Sequence, residues 1–134
     1  MSDSTQILDI VTPEKKVFSD NVSFVIAPGL EGEVGILPRH AALLTPLRPG
    51  LIKYDHEDNR VVMTVSGGFI EVRDSRVTIL ATAVERLEEI DVERAEAAKQ
   101  RAEQRLASKT PDLDVLRAEL ALKRAINRLK AVGR

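Results

Sequence analysis

The sequence predicts an all-β N-terminal domain followed by a C-terminal antiparallel α-helical hairpin, and three observations carry that prediction. Short apolar runs broken by Gly and Pro fill the first part of the chain. All four aromatic residues (Phe18, Phe24, Tyr54, Phe69), five of six prolines and six of seven glycines lie before Val84. Glu88–Arg134, by contrast, has no aromatic residue and no Gly or Pro except Pro111 and Gly133, and it is rich in Ala and in charge. The composition shift falls near Val84–Ile90 and divides the chain into domains 1–87 and 88–134, the first expected to fold alone.

In order, Gln6–Val11 alternates and ends at Thr12-Pro13, a strand followed by a turn. Lys16–Phe18 is a short run ended by Ser-Asp-Asn. Val22–Ala27 stops at Pro28-Gly29, Glu33–Leu37 lies between Gly32 and Pro38, and Ala42–Leu47 leads into Arg48-Pro49-Gly50, a strong turn signal. Leu51–Tyr54 and Arg60–Val65 flank the polar loop Asp55–Asn59 as a hairpin. Gly68–Arg73 and Arg76–Ala81 form a second hairpin around Asp74-Ser75. Eight or nine short strands at this spacing indicate a sandwich or barrel.

The first helical segment, Val92–Ala107, begins after Asp91, whose carboxylate suits an N-cap. Ala95, Ala98, Ala102 and Leu106 make one narrow apolar stripe. The second starts at Thr110-Pro111, a cap followed by proline at the first helical position. Its apolar stripe reads Val115, Ala118, Leu122, Ile126 and Leu129. Lys123, Arg124, Arg128, Lys130 and Arg134 crowd its C-terminal end, where cations suit the helix dipole.

Within this hairpin Arg94, Arg101 and Arg105 are spaced by seven and four, and Arg117, Arg124 and Arg128 repeat that spacing. At about 3.6 residues per turn each set is a column flanking its helix's apolar stripe. Two readings of the columns stand open at this point: arginines that lie along the seam and pair with nearby acids, or a site that gathers several guanidinium groups around an anion.

The bulk numbers narrow the function classes. The 134 residues carry a net charge of −1, divided as −3 over residues 1–83 and +2 over residues 84–134. A near-neutral chain argues against nucleic acid as a partner. With no cysteine, disulfides and thiol chemistry are excluded. The N-terminus has no basic-plus-apolar signal pattern, and no apolar run approaches the roughly 20 residues of a membrane span.

The search for catalytic machinery gives little. Gly29, Gly32 and Gly35 lack the Lys-Ser/Thr signature of a phosphate loop. Ser66-Gly67-Gly68 reads as a tight bend in a sheet and lacks the flanking pattern of a nucleophile elbow. His40 and His56 are lone loop histidines without metal-ligand spacing. Asp55, Glu57 and Asp58 lack the Gly and Glu spacing of a calcium loop. No metal site, no required cofactor and no enzymatic activity are expected.

Five stretches occur in a telling order: Glu33-Val34-Gly35-Ile36-Leu37-Pro38-Arg39-His40, Ser66-Gly67-Gly68-Phe69-Ile70-Glu71-Val72, Ile79-Leu80-Ala81, Ile90-Asp91-Val92-Glu93-Arg94-Ala95 and Arg117-Ala118-Glu119-Leu120-Ala121-Leu122-Lys123-Arg124-Ala125. With them the chain resembles the epsilon subunits of bacterial F-type ATP synthases over nearly its whole length. The resemblance implies a β-sandwich of about ten strands at the foot of the central rotor stalk, touching the gamma subunit and the c-ring. It implies a non-catalytic subunit held peripherally on the cytoplasmic side of the cell membrane through the complex. It implies a hairpin that folds against the β domain or extends along gamma, where Lys123, Arg124, Arg128 and Lys130 approach the catalytic beta subunit and block ATP hydrolysis. Some bacterial members bind ATP as a regulatory ligand through an I/L-D-x-x-R-A motif, matched here by Ile90, Asp91, Arg94 and Ala95. Arg101, Arg124 and Arg128 match further nucleotide-binding positions, and Glu85 is a weaker candidate for an adenine contact. The competing expectation is a free-standing ATP-sensing protein, which co-purification with synthase subunits would distinguish.

Overall fold

The computed structural model describes residues 4–108 and 110–133. The chain divides into two compact units, Met1–Glu85 and Arg86–Arg134.

The first unit is built of β1 (Gln6–Val11), β2 (Lys16–Val22), β3 (Phe24–Gly29), β4 (Gly32–Ile36), β5 (Leu43–Leu47), β6 (Gly50–His56), β7 (Asn59–Val65), β8 (Gly68–Arg73), β9 (Arg76–Ala81) and the short β10 (Val84–Arg86), which runs across the division. The strands lie in the order β10-β7-β6-β3-β5-β8-β9-β1-β2, with β4 paired to β3 off this path. They form a ten-stranded sandwich. Strand alternation explains the core. On β8, Ile70 and Val72 are buried while Phe69, Glu71 and Arg73 are exposed, as the two-residue period of a pleated strand requires. Leu8, Ile10, Ile36, Ile52, Met63, Ile70 and Ile79 meet from both layers in one apolar cluster with Tyr54.

β1 carries the one buried carboxylate of this unit among the described residues: Asp9 accepts a hydrogen bond from Ser19 Oγ on β2. Asp9 also accepts one from Arg76 Nη1 at 2.6 Å on β9, so three adjacent strands are tied at one point. β2 and β6 are not hydrogen-bonded neighbours, yet they meet. Phe18 packs on Tyr54 with ring centroids 4.6 Å apart.

Several boundaries differ from the sequence expectation. β2 continues through Ser19-Asp20-Asn21 because each of those polar residues pairs across to β1. β3 runs through Pro28-Gly29 and turns at Leu30-Glu31 into β4. The β6–β7 loop shrinks to Glu57-Asp58, with φ of 50° and 66°. Two left-handed central residues make the turn whose twist matches a two-residue hairpin. Asp74 and Ser75 do the same between β8 and β9, with φ of 52° and 57°. Three-residue β10 has no sequence pattern to announce it.

Ser66-Gly67-Gly68 is a bend between β7 and β8, as read. Gly68 has φ of 140°, and a Cβ there would stand 2.1 Å from Leu80 O. Only a glycine permits that approach.

The second unit opens with a 3-10 turn at Leu87–Glu89 and holds α1 (Val92–Ala107) and α2 (Val115–Ala131), packed as a hairpin. α1 begins where expected, with Asp91 Oδ1 accepting from the Arg94 N–H at 3.1 Å. α2 begins later than Thr110-Pro111 predicts. Thr110 to Leu113 close a separate turn, the Leu113 N–H donating to Thr110 O at 3.1 Å, and Asp114 takes the cap instead. Asp outranks Thr as an N-cap, and Asp114 Oδ1 accepts from the Arg117 N–H at 3.0 Å.

Candidate functional site

The hairpin seam is made of small residues. Ala95 and Ala102 are the buried positions of α1, and Ala118, Ala125 and Leu129 those of α2. This corrects the expected stripe of α2. Ala125, fully buried, replaces Ile126, which is 36% exposed, while Val115 at the helix start is 50% exposed. The reason is volume, since a methyl at position 125 lets the alanines of α1 approach where an isoleucine would hold the helices apart.

With the seam fixed, the flanks follow at about 100° per residue. On α1, Arg94, Arg101 and Arg105 lie on one flank of the Ala95–Ala102 line, and Glu96, Gln100 and Glu103 on the other. On α2, Arg117, Arg124 and Arg128 lie on one flank of the Ala118–Ala125 line, and Glu119 and Ile126 on the other. A groove of about 360 Å³ is lined by Glu96, Lys99, Gln100 and Glu103 of α1 together with Ile126 and Leu129 of α2. That groove places the glutamate flank of α1 and the Ile126 flank of α2 on the same side of the hairpin. The two arginine columns therefore share the opposite edge. Reversal of chain direction brings the Arg94 end of α1 toward the Arg128 end of α2 and the Arg105 end toward Arg117.

Charge is thus segregated across the hairpin. Glu93, Glu96, Glu103 and Glu119 all point away from the arginine edge, whose intervening residues are Ala98 and Ala121. Arg94, Arg101, Arg105, Arg117 and Arg124 are exposed, and Arg128 is half-buried. Among the described residues, none of those five exposed arginines forms an ion pair, whereas Arg60 pairs with Asp55 and Arg76 with Asp9 in the β unit. For those five arginines the reading in which the columns pair with local acids finds no ion pair among the described residues. Like charges in a row repel, and the seam beneath them buries little apolar area to resist that repulsion.

The other candidate residues are placed as follows. Asp91 caps α1 and is exposed at the head of the Arg94–Arg101 column. Ile90 and Ala95 are buried, Ala95 in the seam itself. Glu85 is half-buried in β10, in the other compact unit. Lys123 and Lys130 are exposed but fall on the Glu119 flank of α2, away from Arg124 and Arg128. The basic end of α2 therefore presents two faces. Absence of acids from one edge was open to sequence reasoning, through the glutamate positions as much as the arginine positions.

The helices of the described residues include none long and apolar enough to cross a membrane. Residues 5–87 match the family described as ATP synthase, Delta/Epsilon chain, beta-sandwich domain, and residues 88–133 its long alpha-helix domain. The ATP synthase epsilon chain of Pelotomaculum thermopropionicum is 63% identical over 134 residues, the whole of both chains. That of Desulforamulus reducens is 58% identical over 127 residues, 95% of this chain and 96% of that one. In a solved structure of the Euglena gracilis mitochondrial ATP synthase (OSCP/F1/c-ring), one chain matches with a TM-score of 0.87 and 26% identity, covering 96% of this chain and 82% of that one. A chain of the Tetrahymena thermophila mitochondrial ATP synthase central stalk/c-ring shares the fold, with a TM-score of 0.58 and 22% identity over 98% and 99% of the two chains.

Proposed function

This chain belongs to the ATP synthase delta/epsilon chain family, and we propose that it is a non-catalytic, epsilon-type subunit of the synthase central stalk whose hairpin regulates ATP hydrolysis in response to ATP. The observation that carries the regulatory reading is the edge on which six arginines are ranked over a seam of alanines, with the glutamates of both helices turned away from it. Within the complex the β unit seats the chain on the gamma subunit and c-ring, and the chain is peripheral to the membrane on its cytoplasmic side.

Two states of the hairpin suffice for regulation. With the helices apart, Lys123, Arg124, Arg128 and Lys130 meet an acidic surface of the catalytic beta subunit and hold the enzyme against hydrolysis. With the helices together, the arginine edge is assembled and asks for an anion. A triphosphate fits the demand: its oxygens accept charge-assisted, often bidentate, hydrogen bonds from guanidinium groups. Arg94 to Arg101 spans about 10 Å along α1 at a rise of about 1.5 Å per residue. Arg124 and Arg128 supply the matching groups from α2. Asp91 holds the Arg94 end of the column by capping the helix and offers an acceptor for an amino group. ATP, binding only the closed hairpin, shifts the population away from the inhibitory form. The shift is bounded by RT ln(1 + [ATP]/Kd), roughly 2.7 kcal/mol at a hundredfold excess over Kd.

Calorimetric titration of the intact chain with ATP tests the reading, run beside Arg94→Ala and Arg124→Ala. Binding that weakens at least tenfold in both variants is expected, since a lost charge-assisted contact is worth about 1.5–3 kcal/mol. Absence of heat at millimolar ATP, or equal binding by all three proteins, overturns it.

A further inference from the structure

The tip of the β6–β7 hairpin carries a second cluster, remote in the sequence from the arginine edge and unused by it. His56 ends β6, Glu57 opens the turn, and Asp20 lies on β2, 36 residues from His56. His56 Nε2 is 3.0 Å from Asp20 Oδ2 and 3.9 Å from Glu57 Oε1. One ligand atom from each residue lies within 4.8 Å of the other two.

The imidazole is fixed from behind. Its ring stands edge-on to Phe18, at 86° with centroids 5.1 Å apart, and Phe18 is itself packed on Tyr54. Nε2 is thereby aimed at the two carboxylates. The Asn21 N–H, and after it His56, hold the Asp20 carboxyl below its ordinary range.

We propose that Asp20, His56 and Glu57 form a binding site for a divalent transition cation of the Zn2+ class. One neutral imidazole and two carboxylates match the charge and ligand preference of such an ion. Ligands about 2.0–2.2 Å from a tetrahedral ion stand roughly 3.3 Å from one another. The observed 3.0 and 3.9 Å to His56, with all three ligand atoms within 4.8 Å of one another, lie near that spacing, and the exposed Glu57 can swing in to close it. Calcium and magnesium are disfavoured, because each requires about six or more oxygen-type ligands. A bound ion would staple β2 to the β6–β7 tip, two elements that are not neighbours in the strand order. The sequence concealed the site because its ligands converge only when β2, at one end of the strand order, meets β6.

Thermal unfolding of the intact chain with Zn2+, followed by circular dichroism, reads the staple directly. Zn2+ at tenfold excess over Kd multiplies the folding equilibrium constant about elevenfold, which raises the midpoint by several degrees, reversibly on chelation. Asp20→Asn and His56→Gln each abolish most of that rise, and Mg2+ produces none. In the unmodified chain, NMR places the Zn2+-induced shift on the His56 ring and leaves the His40 ring unmoved. No rise at millimolar Zn2+, an equal rise in His56→Gln, an equal rise with Mg2+, or a shift confined to His40 overturns the assignment.

Discussion

In the β unit the fully buried side chains include Leu8, Ile10, Ile36, Ile52, Met63, Ile70 and Ile79, whereas in the hairpin the buried positions are Ala95, Ala102, Ala118 and Ala125, with Leu129 near one end. Each large aliphatic side chain contributes about 1.5–3 kcal/mol on burial, and a lone methyl well under half of that. The β unit is held by many such groups spread over both layers. The buried contacts of the hairpin are four methyl groups and one leucine, with Leu106 and Leu122 only half-buried, an N-cap on each helix and a row of like charges along one edge. One region is a body and the other is a hinge: small stabilisation is what allows a ligand worth a few kcal/mol to decide the hairpin's state.

The contrast breaks most severely at Gly68. Gly68→Ala is expected to remove at least about 3 kcal/mol from the β unit, because the new Cβ meets the backbone of Leu80 and the residue is left strained at positive φ. Chemical denaturation of the intact chain checks it. A loss near 1 kcal/mol would mean that the β7–β8 bend yields, and that the β unit is less fixed than its core implies.

A middle-sized effect belongs to the seam. Ala125→Leu inserts three carbons where the helices touch and is expected to cost about 1–3 kcal/mol. The cost falls on the hairpin alone. Hydrogen exchange should quicken along α1 and α2 and stay unchanged on β8 and β9. Equal loss of protection in both units would erase the distinction between them.

The smallest expected effects sharpen the comparison within the hairpin. Asp91→Ala and Asp114→Ala each remove one cap, at about 1 kcal/mol, and should fray the first turn of α1 and of α2 respectively. Amide exchange at Arg94 and Arg117 reports the two separately. If Asp91 also serves a nucleotide, only its variant will weaken ATP binding beyond the fraying.

Local chemistry was the part of this fold that the sequence made legible. β1, β8 and β9 begin and end where alternation and turn residues place them, and α1 starts at the cap that Asp91 announces. Signals failed where tertiary pairing overrides local preference. Ser19-Asp20-Asn21 reads as a turn and becomes strand because β1 satisfies its backbone. Thr110-Pro111 reads as a helix start and loses to Asp114. The candidate site divides the same way. Spacing alone finds the arginine columns, but their common edge depends on which residue, Ala125 or Ile126, faces the seam. The Asp20–His56–Glu57 cluster lies beyond any spacing rule, since it is assembled by strands distant in order.

The register of β1 bears on how this chain is made. Ile7 to Val11 run parallel to Arg76 to Leu80 on β9, so the first strand completes its pairing only after nearly all of the β unit has been synthesised. At roughly 5–20 residues per second, β1 and its partner β2 wait several seconds as an unfinished two-stranded ribbon, with the apolar face of Leu8 and Ile10 uncovered. Pairings so distant along the chain fold slowly. The hairpin closes by contacts that are local by comparison, so it can settle soon after its own residues emerge. During biosynthesis the durable body is begun first and closes only when β9 arrives, and its amino-terminal ribbon is the segment that waits longest.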